Sequence, residues 1–256
     1  MIDTPRLQGV FSDIDDTLTI DGQLTPDAFV TLSNLRQAGI KVILVTGRPA
    51  GWVDHIARMW PVDGVVGENG GLWFYMDGDR LVKRYVLPED QLLIQQTRLK
   101  RLGQSILDKV PGAALASDQA YRALDLAIDF CEDVPALSPQ SIATIVDCFH
   151  EVGATCKVSS IHVNGWFGSW DKLSGCEAIL QELWGESLMD AQSKWVYFGD
   201  SANDEPMFEA FPFSVGVANV AEFLPMMKSH PKWITNAVGG LGFVEGVKQL
   251  FPHLSL

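Results

Sequence analysis

The stretch Val10-Phe11-Ser12-Asp13-Ile14-Asp15-Asp16-Thr17 sets an apolar strand directly against a run of carboxylates. It is answered far downstream by Phe198-Gly199-Asp200-Ser201-Ala202-Asn203-Asp204, a second apolar run ending in acidic residues. Two acidic clusters at strand ends repel each other unless something cationic sits between them. The pair therefore points to a divalent metal site suited to phosphate chemistry.

Working outward, Lys41-Val42-Ile43-Leu44-Val45-Thr46 reads as a second buried strand. Between it and the first lies a helix opened by Thr25, Pro26 and Asp27, carrying Phe29, Leu32 and Leu35 on one side and stopping at Gly39. Strand, helix, strand in this order predicts a parallel pair with a right-handed crossover. A helix over 51–59 and a strand over 64–66 continue the pattern. After Glu68-Asn69-Gly70-Gly71 the texture changes. A hairpin around Asp77-Gly78-Asp79 leads to a long helix over 89–109, strands over 113–116 and 123–130, a helix over 139–152 and strands over 155–158 and 161–163. From Asp171 the alternation returns, with helices over 171–183, 204–210, 221–228 and 243–250 and strands over 195–198, 214–217 and 233–235. The expectation is an α/β core with a parallel sheet flanked by helices, formed by 1–77 and 167–256, and an α+β module inserted over 78–166.

Composition narrows the function. The chain has 256 residues, enough for a full core, and a formal net charge of −13. A nucleic-acid partner is not expected, because binding a polyanion needs a basic stripe. Met1-Ile2-Asp3-Thr4-Pro5-Arg6 is no apolar leader, and no run approaches the ~20 apolar residues that span a bilayer, so the expectation is a cytoplasmic protein without membrane partners. Cys131, Cys148, Cys156 and Cys176 lack the close spacing of zinc or redox motifs and read as small hydrophobes.

In a parallel α/β sheet, ligands gather beyond the carboxyl ends of the strands, where both acidic clusters and Thr46 fall. An aspartate such as Asp13 can attack phosphorus, and a carboxyl two residues on, Asp15, can protonate the leaving oxygen and later activate water. A phosphate dianion cannot approach several carboxylates without cations, which calls for Mg2+ on oxygen ligands and an ammonium such as that of Lys172. Taken alone, each piece is ordinary: Asp-x-Asp is usually a solvated turn, Thr46-Gly47-Arg48 a strand-to-loop turn, Lys172 a first-turn lysine.

Together and in order, Asp13-Ile14-Asp15-Asp16-Thr17, Leu44-Val45-Thr46-Gly47-Arg48, Asp171-Lys172 and Gly199-Asp200-Ser201-Ala202-Asn203-Asp204 resemble the motifs of the haloacid dehalogenase superfamily. The match is narrower with its Cof-like branch, subfamily IIB, to which sucrose-phosphate phosphatases belong. The resemblance implies a Rossmann-like core and a cap that supplies specificity. It makes Asp13 the nucleophile, Asp15 the acid and base, and Thr46 and Lys172 the groups that hold the phosphoryl. Metal ligation falls on Asp13, Asp15, Asp200 and Asp204, with Mg2+ as cofactor. Gly47, Arg48, Asn69, Arg122, Asn164 and Asn203 are expected to line the substrate.

Within the insertion, Arg122, Asp125, His162, Asn164 and Trp166 are specificity candidates. Against this, Arg122, Asp125 and Asp129 are also the polar face of a strand whose alternate residues are Leu124, Leu126, Ile128 and Phe130. Trp166 and Trp170 stand where the insertion rejoins the core and could stack on a sugar ring. The expected function is a phosphatase of a small phosphorylated metabolite, a phosphosugar or sugar-acid phosphate, working through an aspartyl phosphate. A phosphosugar mutase and a non-catalytic binding protein on the same scaffold are the alternatives, and the sequence leaves the oligomeric state open.

Overall fold

The chain is described by a computed structural model over residues 7–159 and 161–254. The strand β1 (Gly9–Ser12) is buried throughout and is followed by a small hairpin, β2 (Thr19–Ile20) and β3 (Gln23–Leu24). Helix α1 (Pro26–Gln37) starts as its N-terminal signals predict, with the Thr25 side chain accepting from the Ala28 amide. Next come β4 (Lys41–Val45), α2 (Ala50–Met59), β5 (Gly64–Gly67), and the antiparallel pair β6 (Leu72–Asp77) and β7 (Arg80–Tyr85). The inserted elements are α3 (Glu89–Lys109), β8 (Ala114–Leu115), β9 (Leu126–Asp129), α4 (Pro139–Glu151), β10 (Thr155–Val158) and β11 (His162–Trp166). The chain closes with α5 (Lys172–Trp184), α6 (Leu188–Ala191), β12 (Trp195–Gly199), α7 (Glu205–Ala210), β13 (Ser214–Gly216), β14 (Trp233–Ile234) and α8 (Gly239–Leu250).

The main sheet has the order β14-β13-β12-β1-β4-β5-β6-β7, parallel from β14 to β5 and antiparallel at the β6 and β7 edge. Its two faces bury separate apolar clusters: α1, α2 and α8 close one around Leu32, Val53 and Phe243, and α5 to α7 the other around Phe11, Ile179 and Tyr197. The insertion forms its own antiparallel sheet, β10-β11-β9-β8, with α3 and α4 packed over a third cluster that includes Ile106, Ile145 and Phe149. This is the expected mixed α/β architecture.

Four differences from the sequence reading have physical causes. The expected boundary after residue 77 falls in the turn of the β6–β7 hairpin, and both strands belong to the main sheet, because Leu72 and Phe74 face its core. The helix expected over 221–228 is two short 3-10 turns, Ala218–Glu222 and Leu224–Met226, as Pro225 sits inside it. Helix α8 begins four residues early, because Gly239 and Gly240 let its first turn touch the backbone at Leu18 and Thr19, where a Cβ would clash. The β2–β3 hairpin was not anticipated, although Asp21-Gly22 at its turn, with φ of 52° and 72°, is a strong hairpin signal.

Candidate functional site

Strands β1 and β12 lie side by side in parallel register, Ser12 opposite Phe198, so Asp13 and Asp200 emerge from adjacent strand ends. The Asp13 amide donates to the Phe198 carbonyl at 2.9 Å, fixing the two tips together. One carboxylate oxygen each from Asp13, Asp200 and Asp204 lie within 4.8 Å of one another, all three residues buried. Lys172, at the first position of α5, reaches into this cluster. Its Nζ donates to Asp13 Oδ1 at 2.9 Å and Asp204 Oδ1 at 2.7 Å. The capping box between Asp171 and Ser174 sets the start of that helix, and so the direction of the lysine.

The electrostatics show a cluster short of positive charge. Burial, with Lys172 opposing and Asp204 and Asp15 assisting, pushes the Asp13 carboxyl up to about 7. Burial, reinforced by Asp204 and Asp13, pushes Asp200 up to about 9. Burial disfavours the Lys172 ammonium, yet Asp13 and Asp204 outweigh it and hold its pKa far above the ordinary lysine value. A further cation placed between Asp13 and Asp200 would relieve both carboxyls.

The residues divide by how their oxygens are used. Asp204 accepts from Lys172 and from the Tyr197 hydroxyl at Oδ1, and from the Asp200 and Ser201 amides at Oδ2, at 3.0 and 3.3 Å. Its carboxylate is occupied by its own neighbours, so it orients the lysine and the loop. Asp200 accepts Thr17 Oγ1 at 3.3 Å and Asn219 Nδ2 at 3.2 Å, leaving lone pairs toward Asp13. Asp15, expected among the metal ligands, lies outside the cluster. Arg48 forks onto it through Nε and Nη2, the shortest contact being 2.8 Å, with Thr46 Oγ1 at 3.5 Å. Arg48 in turn lies over the Trp52 ring, 4.5 Å from its centroid.

Asp13, Asp15, Gly47, Arg48, Asn69, Arg122, Asn164, Asp200 and Asn203 all face one cavity of about 950 Å³, together with the β2–β3 turn, the 3-10 turns after β13 and the β10–β11 end of the insertion. Thr46 is fully buried at the tip of β4. A smaller pocket of about 220 Å³ adjoins it and is lined by Trp166, Trp170, Lys157, Lys172, Asn69 and Asn203 among others. Trp166 and Trp170 are buried and stacked on each other, with centroids 6.3 Å apart at 22°, so neither offers an open ring face of the kind a sugar would use.

The insertion's polar residues differ most from expectation. Arg122, Asp125 and Asp129 are all buried, so the alternation in 122–130 does not mark a solvent face. Arg122 is forked between Asp118 and Asp125, and Asn164 Nδ2 donates to Asp125 Oδ2 at 3.0 Å. His162 Nε2 lies 2.8 Å from Glu132 Oε2 without hydrogen-bond alignment. Two further residues belong to the frame of the site: Asn219, whose loop after a strand end is comparable in sequence to that of Asn69, and Glu68, which sequence reasoning missed. Asn219 bridges Asp200 and the Asp16 carbonyl, and Glu68 is fully buried in the turn between β5 and β6, where its carboxylate meets amides of the insertion. The Val217-Ala218-Asn219 loop beyond a strand end was the available signal for the first; nothing in Glu68-Asn69-Gly70 announced the second.

The architecture and the ordered motifs have counterparts. The sequence pattern of haloacid dehalogenase-like hydrolases matches residues 10–104. A phosphoglycolate phosphatase of Methanoculleus marisnigri is 30% identical over 253 residues, spanning 97% of this chain and 98% of that protein. The chain belongs to the haloacid dehalogenase-like hydrolases. A second phosphoglycolate phosphatase, from Methanothermobacter thermautotrophicus, is 27% identical over 95% of this hydrolase and 98% of its own length. Among solved structures, a Thermoplasma acidophilum protein superposes with a TM-score of 0.75 at 17% identity, covering 96% of this chain and 99% of that one. The sucrose-phosphatase of Synechocystis gives 0.66 at 18% identity, covering 96% and 98%. Among the described residues, no helix of this hydrolase is long and apolar enough to cross a membrane.

Proposed function

We propose that this haloacid dehalogenase-like phosphatase hydrolyses a small phosphomonoester, a phosphosugar or sugar-acid phosphate, with Mg2+ and through a phosphorylated Asp13. The observation that carries the reading is the buried convergence of Asp13, Asp200 and Asp204, with the Lys172 ammonium bonded to the first and the last of them. The relatives named phosphoglycolate phosphatase, matched along nearly their whole length, support a small acid phosphate as the first substrate to try. The 950 Å³ cavity also has the size of pockets that take larger metabolites. In this reading the inserted sheet with α3 and α4 is the cap, and the core runs through β7 before the chain crosses over.

The donor set fits a hard divalent cation: buried carboxylate oxygens close together, no sulfur or imidazole, and two carboxyls that burial and their acidic neighbours hold above the ordinary pKa. Asp13 and Asp200 would hold Mg2+, and Asp204 would act through Lys172. When bound, the ion supplies charge neutralisation for the nucleophile and the phosphoryl oxygens. Lys172 adds a second cation beside Asp13 Oδ1, and the Thr46 hydroxyl and the loop after it receive phosphoryl oxygens. An Asp13 oxygen attacks phosphorus and the bond to the leaving oxygen breaks, while Asp15 as the acid gives that oxygen its proton. Asp15, then ionised, takes a proton from water as the water attacks the Asp13 acyl phosphate, releasing inorganic phosphate and restoring both carboxyls. Arg48 holds Asp15 in place through its forked contact.

The test is phosphate release across a panel of phosphosugars and phosphoacids, including 2-phosphoglycolate, with Mg2+ and with chelator. Turnover with Mg2+, its loss on chelation and its loss in Asp13→Asn support the reading. An Asp13→Asn protein with parental turnover overturns it, and sugar isomerisation without phosphate release would transfer the site to a mutase.

A further inference from the structure

Glu68 and Arg122 stand outside the reacting cluster, yet each is buried and each bonds across the boundary between main sheet and insertion. Glu68 Oε1 accepts the amides of Ala50 at 2.9 Å and Ala123 at 2.8 Å; Oε2 accepts those of Leu124 at 2.5 Å and Asp125 at 3.1 Å. One carboxylate thus joins the N-terminus of α2 to three successive amides of the insertion. Arg122 uses Nε and Nη2 on Asp118 and Nη1 on Asp125, and the same Nη1 donates to the Gly47 carbonyl at 3.1 Å. Gly47 follows Thr46 in the loop assigned to the phosphoryl group. The Glu68 amide donates back to the Arg48 carbonyl at 3.1 Å and the Asn69 amide to the Thr46 carbonyl at 3.2 Å, so 46–48 is gripped from both sides.

The backbone of Glu68 is itself unusual. Its φ is +45° and that of Asn69 is +56°, a left-handed pair without glycine. For a side chain such as Glu this conformation is strained, and it persists only where the surroundings over-determine it. Four amides on the Glu68 carboxylate do that here. The strain and the buried ion pairs would be unnecessary if the insertion only needed to be tethered.

We propose that Glu68 and Arg122 are a positioning pair that clamps segment 122–125 of the insertion onto the loop 46–48, so that the insertion holds the phosphate-binding loop in its working shape. This rests on the reading of Thr46 and Gly47 given above. Arg122 is then no substrate ligand: its donors are turned to Asp118, Asp125 and Gly47. A group misplaced by about 1 Å can cost ~100-fold in rate, so a loosened loop has a measurable consequence without any change in the reacting residues.

The experiment uses the full chain with Mg2+ and p-nitrophenyl phosphate, and inorganic phosphate as an inhibitor. Glu68→Gln replaces two acceptor lone pairs by donors that face amides. Arg122→Lys keeps the charge but cannot span both carboxylates and the Gly47 carbonyl with one planar fork. Each is expected to lower kcat on the order of tenfold or more and to raise the inhibition constant of inorganic phosphate, with the loss persisting at 10 °C where both proteins are folded. Parental kcat and phosphate inhibition in both variants overturn the proposal, as does a loss that disappears at 10 °C. Amide exchange of the parent protein gives an independent arm should a variant not fold. Ala123, Leu124 and Asp125 are expected to exchange as slowly as the β4 amides; exchange at the rate of an exposed loop overturns the clamp. If Asp13→Asn is inactive while both variants match the parent, the clamp fails and the assigned site stands; an active Asp13→Asn removes the site on which the clamp rests.

Discussion

Two buried charged clusters face the same cavity, and they are built on opposite principles. Around Asp204 and Lys172, three carboxylates lie together and two of them share one ammonium, and burial with the neighbouring carboxylates holds the pKa values of Asp13 and Asp200 up against the pull of Lys172. Around Arg122, two carboxylates meet one guanidinium whose donors are matched to them, and Asn164 takes a further lone pair of Asp125. Both clusters are acidic in sum, but only in the first, at Asp13 Oδ2, is a carboxylate oxygen met by no donor among the described residues. A cluster that its own neighbours do not complete is where a ligand is called for, and a completed one is where the fold is being held.

The largest expected effect breaks the first cluster. Asp13→Asn removes the nucleophile, and phosphate release is expected to fall on the order of 10³-fold or more, measured in the Mg2+ assay. Its thermal stability in chelator is expected to hold or rise, because the lost charge was buried among other carboxylates. A fall in both together would say that Asp13 serves the fold. The contrast is Arg122→Met, which strands Asp125 in the interior. We expect it to cost about 3–5 kcal/mol by urea unfolding, and Arg122→Met with Asp125→Asn to recover part of that loss. If the single variant unfolds with the parent's midpoint, the second cluster is not structural.

Metal removal sharpens the difference through pH. Asp13 and Asp200 have folded-state pKa values of about 7 and about 9, above the unfolded carboxyl value of 3.8. Between the unfolded and folded values the native chain binds more protons than the unfolded one, so stability falls as pH rises. In chelator, the melting temperature is therefore expected to drop from pH 5 toward pH 9. Mg2+ should restore more at the alkaline end, since it replaces the protons that hold these carboxyls neutral. A flat metal-free profile would mean that the cluster already contains enough positive charge.

The first cluster was legible because strand periodicity and acidic residues at strand ends place chemistry without knowledge of side-chain packing. Asp13, Thr46, Lys172 and Asp200 each follow or open a regular element, so topology alone carries them to one edge of the sheet. Asp15 and Asp204 were legible as members of the site but not in their partners. Which oxygen meets Arg48, Tyr197 or a backbone amide depends on rotamers and turns, and no spacing encodes that. The insertion was legible in its elements, with α3 at its expected bounds over 89–109. Its charges were not. A polar residue alternating with apolar ones reads as exposed, and only the docking of the insertion on the main sheet buries Arg122, Asp125 and Asp129. The hairpin at Asp21-Gly22 is different in kind, since the local signal was present.

The smallest expected effect asks how much redundancy the first cluster contains. Tyr197→Phe deletes the hydroxyl that donates to Asp204 Oδ1 at 2.5 Å and leaves the ring between Phe208 and Phe211. Burial together with Asp204 and Asp13 holds this phenol far above its usual pKa, so it is a neutral donor at every working pH. Its loss is expected to cost about 1.5–3 kcal/mol of stability, a hydrogen bond to a carboxylate, as read by urea unfolding. Turnover should fall by less than ~10-fold, because Lys172 and the Asp200 and Ser201 amides still fix Asp204. A loss approaching that of Asp13→Asn would show that the hydroxyl aims the lysine through Asp204. In that case the active cluster would depend on one buried bond, as Asp125 depends on Arg122, and the division between an incomplete cluster and a completed one would be of degree only.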